Sequence, residues 1–440
     1  MNDDLDKMPS WGIVGGGILG MSLALQLAQR GKRVTLIEAE SSLGGLARPY
    51  EGYDLNWDRY YHVILHSDAF TQNLLQEIDL AENIRWVQAK SGFFSEGQFY
   101  SMSNISEFLR FPLLNMWNKL RLGLTIYYAS KIKNTKKLEG QSIEEWLTRW
   151  SGKASFKKIW LPLLRAKLGN AYKKTSASFI QATISRMYSA RNQGQKQEEF
   201  GYVPGGYTPI LKELNDHLKA AGVKIKTSYP VKMVKKKQNY QISVIGLNGK
   251  EETFDRVVLT VPPPIVASLC PDLSQKEQIS LDRVPSLGIV CASLLVNKPL
   301  EGFYITNIID DSVPFTAVIE MTALMSQDDF QGYSLVYLPK YVSSHEPLFE
   351  ESEESIKKRF VPAFLQMYPH LEPENIISFC MAKNRFVFSP PQQNNSFPFS
   401  SFKTSVPDIY TVNSAYISDG TLNVNESLAL AEKALKEIQK

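Results

Sequence analysis

Apolar positions in the first forty residues change period twice. Trp11 to Val14 is a short continuous apolar run that reads as a buried strand. A glycine cluster follows, and then Leu23, Ala24, Leu27 and Ala28 recur at helical spacing within residues 21–30. Gly31 stands where a helix commonly ends in a left-handed residue. The run RVTLIEA then reads as a second buried strand, parallel to the first and ending at Glu38. Residues 11–28 carry no charge, yet they do not read as a membrane span. Gly12, Gly15, Gly16, Gly17 and Gly20 interrupt them, and a span needs roughly 20 good helix-forming apolar residues. The preceding residues are acidic and no small-residue cleavage site follows, so a signal peptide fits badly as well.

The same pattern organises the rest of the chain. Residues 100–195 are helical in spacing, with Ser142 and Glu145 forming a capping box before WLTRW. Residues 200–234 read as a loop, a helix ended by Gly222, and two strands. Val257 to Val261 is a buried strand stopped by three prolines. Residues 285–384 alternate as strands (IVCASLLV, FTAVIEM, YSLVYLP) before helical spacing returns. Residues 407–435 read as strand, Asp-Gly turn and helix. In DRYYHVILH, strand-like alternation puts Tyr60, His62 and Ile64 on one face.

Composition narrows the class. At 440 residues the chain is long enough for two domains, and 43% hydrophobic with 21% charged residues is a globular balance. A net charge of +4 is too small to imply nucleic acid. Cys270, Cys291 and Cys380 are few and far apart, with no CxxC, so neither a disulfide framework nor a zinc site is signalled and a reducing cytoplasm fits. The five histidines form no metal-ligand cluster apart from the His62/His66 pair, and no metal is expected. The oligomeric state is not legible.

Gly15-x-Gly17-x-x-Gly20 lies between strand and helix, and Glu38 follows Gly20 by 18 residues at the end of the next strand. That spacing suits a dinucleotide: glycine lets the backbone approach a pyrophosphate at the helix N-terminus, and the acid accepts from ribose hydroxyls. A second pair, Gly44-Gly45, with Arg48 close behind, allows another close backbone approach and a guanidinium for phosphate.

These two glycine motifs, the strand-then-proline segment at 254–266 and the C-terminal turn resemble the FAD-dependent amine-oxidase and protoporphyrinogen-oxidase-like group, with UDP-galactopyranose mutase as a distant cousin. The resemblance implies an α/β fold: a Rossmann-like FAD-binding domain with a parallel sheet, assembled from residues 1–90, 196–270 and 385–440. A mixed α+β substrate domain would comprise 91–195 and 271–384. FAD would meet Gly15, Gly17 and Gly20 at the pyrophosphate and Glu38 at the adenosine ribose. Gly45, Leu46 and Arg48 would lie near the ribityl-phosphate, and Val231 would reach the adenine through its backbone. Asp419, Gly420 and Asn423 would lie at the flavin end.

His62 would lie beside the flavin ring, by resemblance to the mutase's histidine-bearing segment, although the second histidine follows four residues later rather than three. Arg165 and Lys167 sit in an apolar run, and Lys167 is the better candidate for chemistry because lysine titrates readily when buried. Amine oxidases of this group carry a lysine on a substrate-domain strand. No lysine lies between Arg283 and Lys298 here, which argues against amine oxidation and fast reaction with oxygen. Residues 108–133, rich in leucine, aromatic and basic residues, form either a core helix or a peripheral membrane contact. The run KMVKKK reads as a solvated strand edge. The expected protein is an FAD-dependent oxidoreductase that removes a hydride from a small or lipophilic organic substrate. A non-redox mutase-like isomerase and a flavin-binding scaffold without turnover are the alternatives.

Overall fold

A computed structural model describes residues 8–50, 55–189, 198–393, 401–417 and 422–439. The strand Ser10–Val14 is central in a five-stranded parallel sheet, flanked by Arg33–Ile37 on one side and Arg256–Leu259 on the other. Lys224–Lys226 and Ile409–Thr411 close its two edges, also in parallel. Strands distant in sequence thus meet in one sheet. Helix α1 (Ile18–Gln29) crosses over it and buries Met21, Leu23, Ala24 and Leu27 completely. Its amphipathicity is weak because it is covered on several sides: the sheet, the Tyr207–Ala220 helix and the Val424–Ile438 helix all pack on it.

A second, seven-stranded sheet is built on the long strand Leu287–Val296, every residue of which is buried. Ser334–Ser343 and Ile376–Phe388 pair with it on either side, antiparallel. Two early strands, Ser91–Ser95 and Gln98–Ser101, complete this sheet through Ile305–Ile308. The lysine-rich strand Val231–Lys236 is an edge of a small three-stranded sheet, with Lys232 and Lys235 in solvent. A layer of helices spans residues 105–189; it includes α2 (Met116–Lys131), a π-helical turn at Phe156–Trp160 and α3 (Leu161–Leu168). Ser142 caps its helix as expected, its Oγ accepting from the Glu145 amide at 3.1 Å.

The segment 58–66 departs from the sequence expectation. It is irregular chain rather than a strand, held by bridges at Pro49–Asp58 and Ile64–Gly201. Alternation alone could not separate a strand from a loop threaded between two sheets, because Tyr60 and Ile64 are buried either way.

Candidate functional site

The first strand delivers the chain into Gly15, whose φ of +113° is open only to glycine without strain. α1 starts at Gly17 and packs tightly on the turn: a Cβ on Gly20 would lie 1.9 Å from the Gly15 carbonyl oxygen. Gly17 is different, since a Cβ there would meet nothing closer than Gly45 Cα at 3.8 Å. Gly17, Ile18 and Leu19, at the start of α1, line the opening, where the first amides of a helix have no partner within the helix. Glu38 ends the neighbouring strand and grips this turn. Its Oε2 accepts from the Gly16 amide at 2.6 Å and its Oε1 from the Glu40 amide at 2.9 Å.

The second glycine pair comes back onto the first. The Gly44 amide donates to the Gly16 carbonyl at 2.8 Å, so the two loops run side by side. Arg48 follows and is buried, with one terminal nitrogen donating to Glu40 at 3.1 Å and its Nε left without a partner. A buried guanidinium with an unmet donor at the edge of an open cavity is suited to an anion.

These groups line one wall of a cavity of about 1080 Å³. The opposite wall is the seven-stranded sheet, contributing Ile289, Tyr341, Met381, Ala382 and Val387. Between them Tyr61 and Tyr341 meet hydroxyl to hydroxyl at 3.0 Å. Burial pushes the phenols of Tyr60, Tyr61 and Tyr304 above their ordinary 10.0, so they remain neutral hydrogen-bond donors at physiological pH. His62 also lines the cavity. Its ring lies 4.7 Å from the Tyr207 ring, with Nδ1 3.8 Å from the Asp58 carboxylate. Lys167, on α3, places its ammonium 3.7 Å from the Tyr341 ring centroid. Arg186 reaches in from the helical layer, its guanidinium held by Asp68 through two contacts of 3.0 and 3.3 Å.

A sequence profile of the flavin containing amine oxidoreductase family matches residues 20–410. The chain belongs to that family. It is an FAD-dependent oxidoreductase, and the site fits the cofactor: two glycine-lined loops in contact, a helix N-terminus at the opening, an acid at the strand end and a buried guanidinium with one unmet donor. The zeta-carotene desaturase of Synechocystis sp. is 21% identical over 84% of this chain and 85% of its own length. The 15-cis-phytoene desaturase of Arabidopsis thaliana is 20% identical over 66% of this chain, which spans only about half (55%) of that longer protein. Among solved structures, reduced UDP-galactopyranose mutase superposes with a TM-score of 0.73 at 15% identity, covering 97% of this chain and 93% of its own. An oxidoreductase from Methanosarcina mazei gives 0.75 at 16% identity, covering 97% and 100%.

In this amine oxidoreductase the expected FAD residues are mostly neighbours. Gly17, Glu38, Gly45, Leu46, Arg48 and Asn423 all line the cavity, and Gly15 and Gly20 shape the turn behind it. Asn423 does so at the start of a helix, its Oδ1 accepting from the Glu426 amide at 2.9 Å. Val231 does not line the cavity; its segment is tied to the site through the Ser228 amide, which donates to the Glu40 carbonyl at 2.7 Å, and the Tyr229 amide, which donates to the Glu38 carbonyl at 2.9 Å. Asp419 and Gly420 lie outside the described residues. His62 and Lys167 both face the cavity, while Arg165 turns to solvent and Asp311 at 3.6 Å.

Sequence reading missed the Tyr61–Tyr341 pair and the Arg186–Asp68 pair. Each joins residues more than a hundred positions apart, and only Tyr61 lies in a stretch that the sequence singles out, where alternation drew attention to Tyr60, His62 and Ile64 instead.

Proposed function

We propose that this enzyme dehydrogenates an uncharged, lipophilic, unsaturated carbon skeleton rather than a protonated amine. The observation that carries this reading is the charge of the cavity wall. Arg48, Arg59, Lys167 and Arg186 line it, against Glu38, Glu40 and Asp68, while Lys383 and Arg385 also line it but direct their charged ends to the Phe349 and Glu351 carbonyls and to Glu350. All three acids are engaged, Glu38 by backbone amides, Glu40 by Arg48 and Asp68 by Arg186. Among the described lining residues no carboxylate is left for an ammonium ion, which the surrounding cations would repel. The aromatic and aliphatic side of the cavity, from Tyr60 to Val387, suits a hydrocarbon instead. The desaturases this chain resembles act on substrates of that kind by their names, which supports the reading.

Bound FAD supplies the two-electron acceptor for hydride removed from a substrate carbon. The chain's own part is to hold FAD through Gly15, Gly17, Gly20, Glu38, Gly45, Leu46, Arg48 and Asn423, and to press the substrate against it. We assign His62 and Lys167 the polar roles beside the substrate: His62 accepts the proton lost from the carbon next to the one that gives up hydride, so that the double bond forms, and Lys167 fixes the Tyr341 ring. A lipophilic substrate resides in bilayers, and we assign a peripheral membrane contact through residues 108–133.

The cationic wall also favours a second reading, a mutase-like isomerase holding a phosphorylated substrate on Lys167 and Arg186. The test is anaerobic titration of the FAD-loaded protein, followed by the flavin absorbance. Bleaching by a detergent-dispersed polyene with isolated double bonds, and none by putrescine or benzylamine, supports dehydrogenation. Bleaching by the amines overturns it. Turnover of a sugar nucleotide with pre-reduced flavin and no acceptor supports the isomerase instead.

A further inference from the structure

α2 has two opposite faces. Leu122, Thr125 and Ala129 are buried against the helical layer, and Lys119 tucks in beside them to donate to the Leu109 carbonyl. The other face carries Met116, Trp117, Leu120, Leu124, Tyr127 and Tyr128, which are 62%, 66%, 54%, 59%, 55% and 42% exposed. A helix in water normally turns polar residues outward. Half of the sixteen large exposed hydrophobics among the described residues fall between 109 and 150, about a tenth of the chain, in α2 and the helices on either side of it. Singly exposed apolar residues need no explanation, but a contiguous stripe does.

The helical segment that carries this stripe is equally lopsided in charge. Residues 105–174 hold fifteen Lys and Arg against four Glu, a net +11 in a chain whose total is +4. The rest of the protein is therefore net acidic. Lys131 stands at the end of the stripe with its ammonium 5.4 Å from the Tyr127 ring centroid, and Lys133, Lys136 and Lys137 continue in solvent beyond it. Tyr128 stacks on Trp150 at 4.2 Å between ring centroids, beside exposed Arg149. No helix among the described residues is long and apolar enough to cross a membrane.

We propose that this face is a docking surface for an anionic lipid bilayer. The α2 stripe enters the acyl boundary, its Trp and Tyr rings settle at headgroup depth, and the surrounding lysines and arginines bind anionic headgroups. Charge complementarity selects this occupant. A second copy of the chain would bring the same net +11 against itself, and a neutral bilayer would leave the basic rim unused. The same helical layer closes the cavity: α3 carries Lys167, and the core under the layer includes Tyr341, Val387 and Leu422, all cavity-lining. Docking therefore sets the reaction chamber beside the bilayer. The proposal rests on the membrane contact assigned above and specifies its lipid, its residues and its orientation.

The test is flotation of FAD-loaded protein with vesicles of phosphatidylcholine alone or mixed with phosphatidylglycerol, at low and high salt. Binding to the mixed vesicles, falling about tenfold in high salt and on neutral vesicles, is expected. Trp117→Glu with Leu124→Glu should abolish binding while the flavin spectrum stays unchanged. Lys133→Glu with Lys136→Glu and Lys137→Glu touches only solvent-exposed positions and should weaken binding about tenfold without touching the apolar stripe. Equal binding to neutral and anionic vesicles overturns the proposal, as does an oligomer in the absence of lipid that the Trp117/Leu124 variant splits. Substrate bleaching in detergent needs no bilayer, so failure of docking and failure of the substrate assignment are read separately.

Discussion

Gly17 and Gly45, twenty-eight residues apart, face each other so closely that a Cβ on Gly45 would lie 3.0 Å from Gly17 Cα. The contact explains why two glycine motifs exist. Each loop must come near the cofactor, and each must also come near the other. Gly45 has a φ of +57°, which adds backbone strain for any replacement.

The glycines of the first motif should therefore fail differently. Gly17→Val has room in the protein itself, so it should fold and melt cooperatively yet not retain FAD, because the side chain fills the space of the pyrophosphate. Gly20→Val collides with the Gly15 carbonyl and should cost several kcal/mol, roughly 3 or more, and yield little soluble protein. Comparing flavin content with thermal unfolding of the apoproteins checks both. A Gly17→Val protein that stays yellow would refute the pyrophosphate assignment.

Glu38 holds the glycine turn and is assigned to the ribose. Glu38→Gln should weaken FAD binding by about 1–3 kcal/mol, or roughly 5- to 150-fold, measured by fluorescence on titration of apoprotein. No change in affinity would limit Glu38 to bracing the turn.

His62→Ala should keep FAD, since the histidine sits among Asp58, Tyr207 and the cavity rather than on the glycine loops, and should lower turnover about 10²–10⁴-fold. Lys167→Met should also keep FAD and loosen Tyr341, raising KM for substrate more than it lowers kcat. Flavin loss in His62→Ala would make that residue structural.

The strand Leu287–Val296 carries no lysine, and its midpoint is Cys291, whose thiol burial pushes well above the usual range and keeps protonated. Flavin reoxidation by air should accordingly be slow compared with dedicated oxidases. Stopped-flow mixing of anaerobically reduced protein with oxygenated buffer tests this, and rapid release of hydrogen peroxide would refute it.

Glu320 gives a pH signature. It is buried, its Oε2 has no partner, and burial raises its carboxyl from 4.5 to about 7. Between about 4.5 and 7 the unfolded chain has released this proton while the folded chain keeps it. Stability from this group therefore falls as pH rises through that window and levels off above it. Glu320→Gln should be more stable than wild type at pH 8 by roughly 1–3 kcal/mol, and indistinguishable near pH 4.5, by denaturant titration. Equal stabilities at both pH values would show that the carboxyl is hydrated.

Local pattern was enough for part of this protein. The strand–turn–helix–strand unit, the two glycine motifs, the acid after the second strand and the presence of a strand at Leu287–Val296, though not its burial on both faces, were legible because each depends on backbone conformation over a few neighbouring residues. The family and its cofactor follow from that unit together with the second glycine pair. The substrate side was not legible. Tyr61 meets Tyr341, Arg186 meets Asp68 and Lys167 lies on Tyr341 only because separate sheets and the helical layer close around one cavity. Nor could spacing say which face of α2 would be covered. Its apolar residues occur on both faces, and only packing, which buries Leu122 and Ala129 and leaves Trp117 and Leu124 in solvent, separates a core helix from a surface that seeks lipid. Burial is a property of the neighbours a helix finds, and those neighbours are brought by the fold.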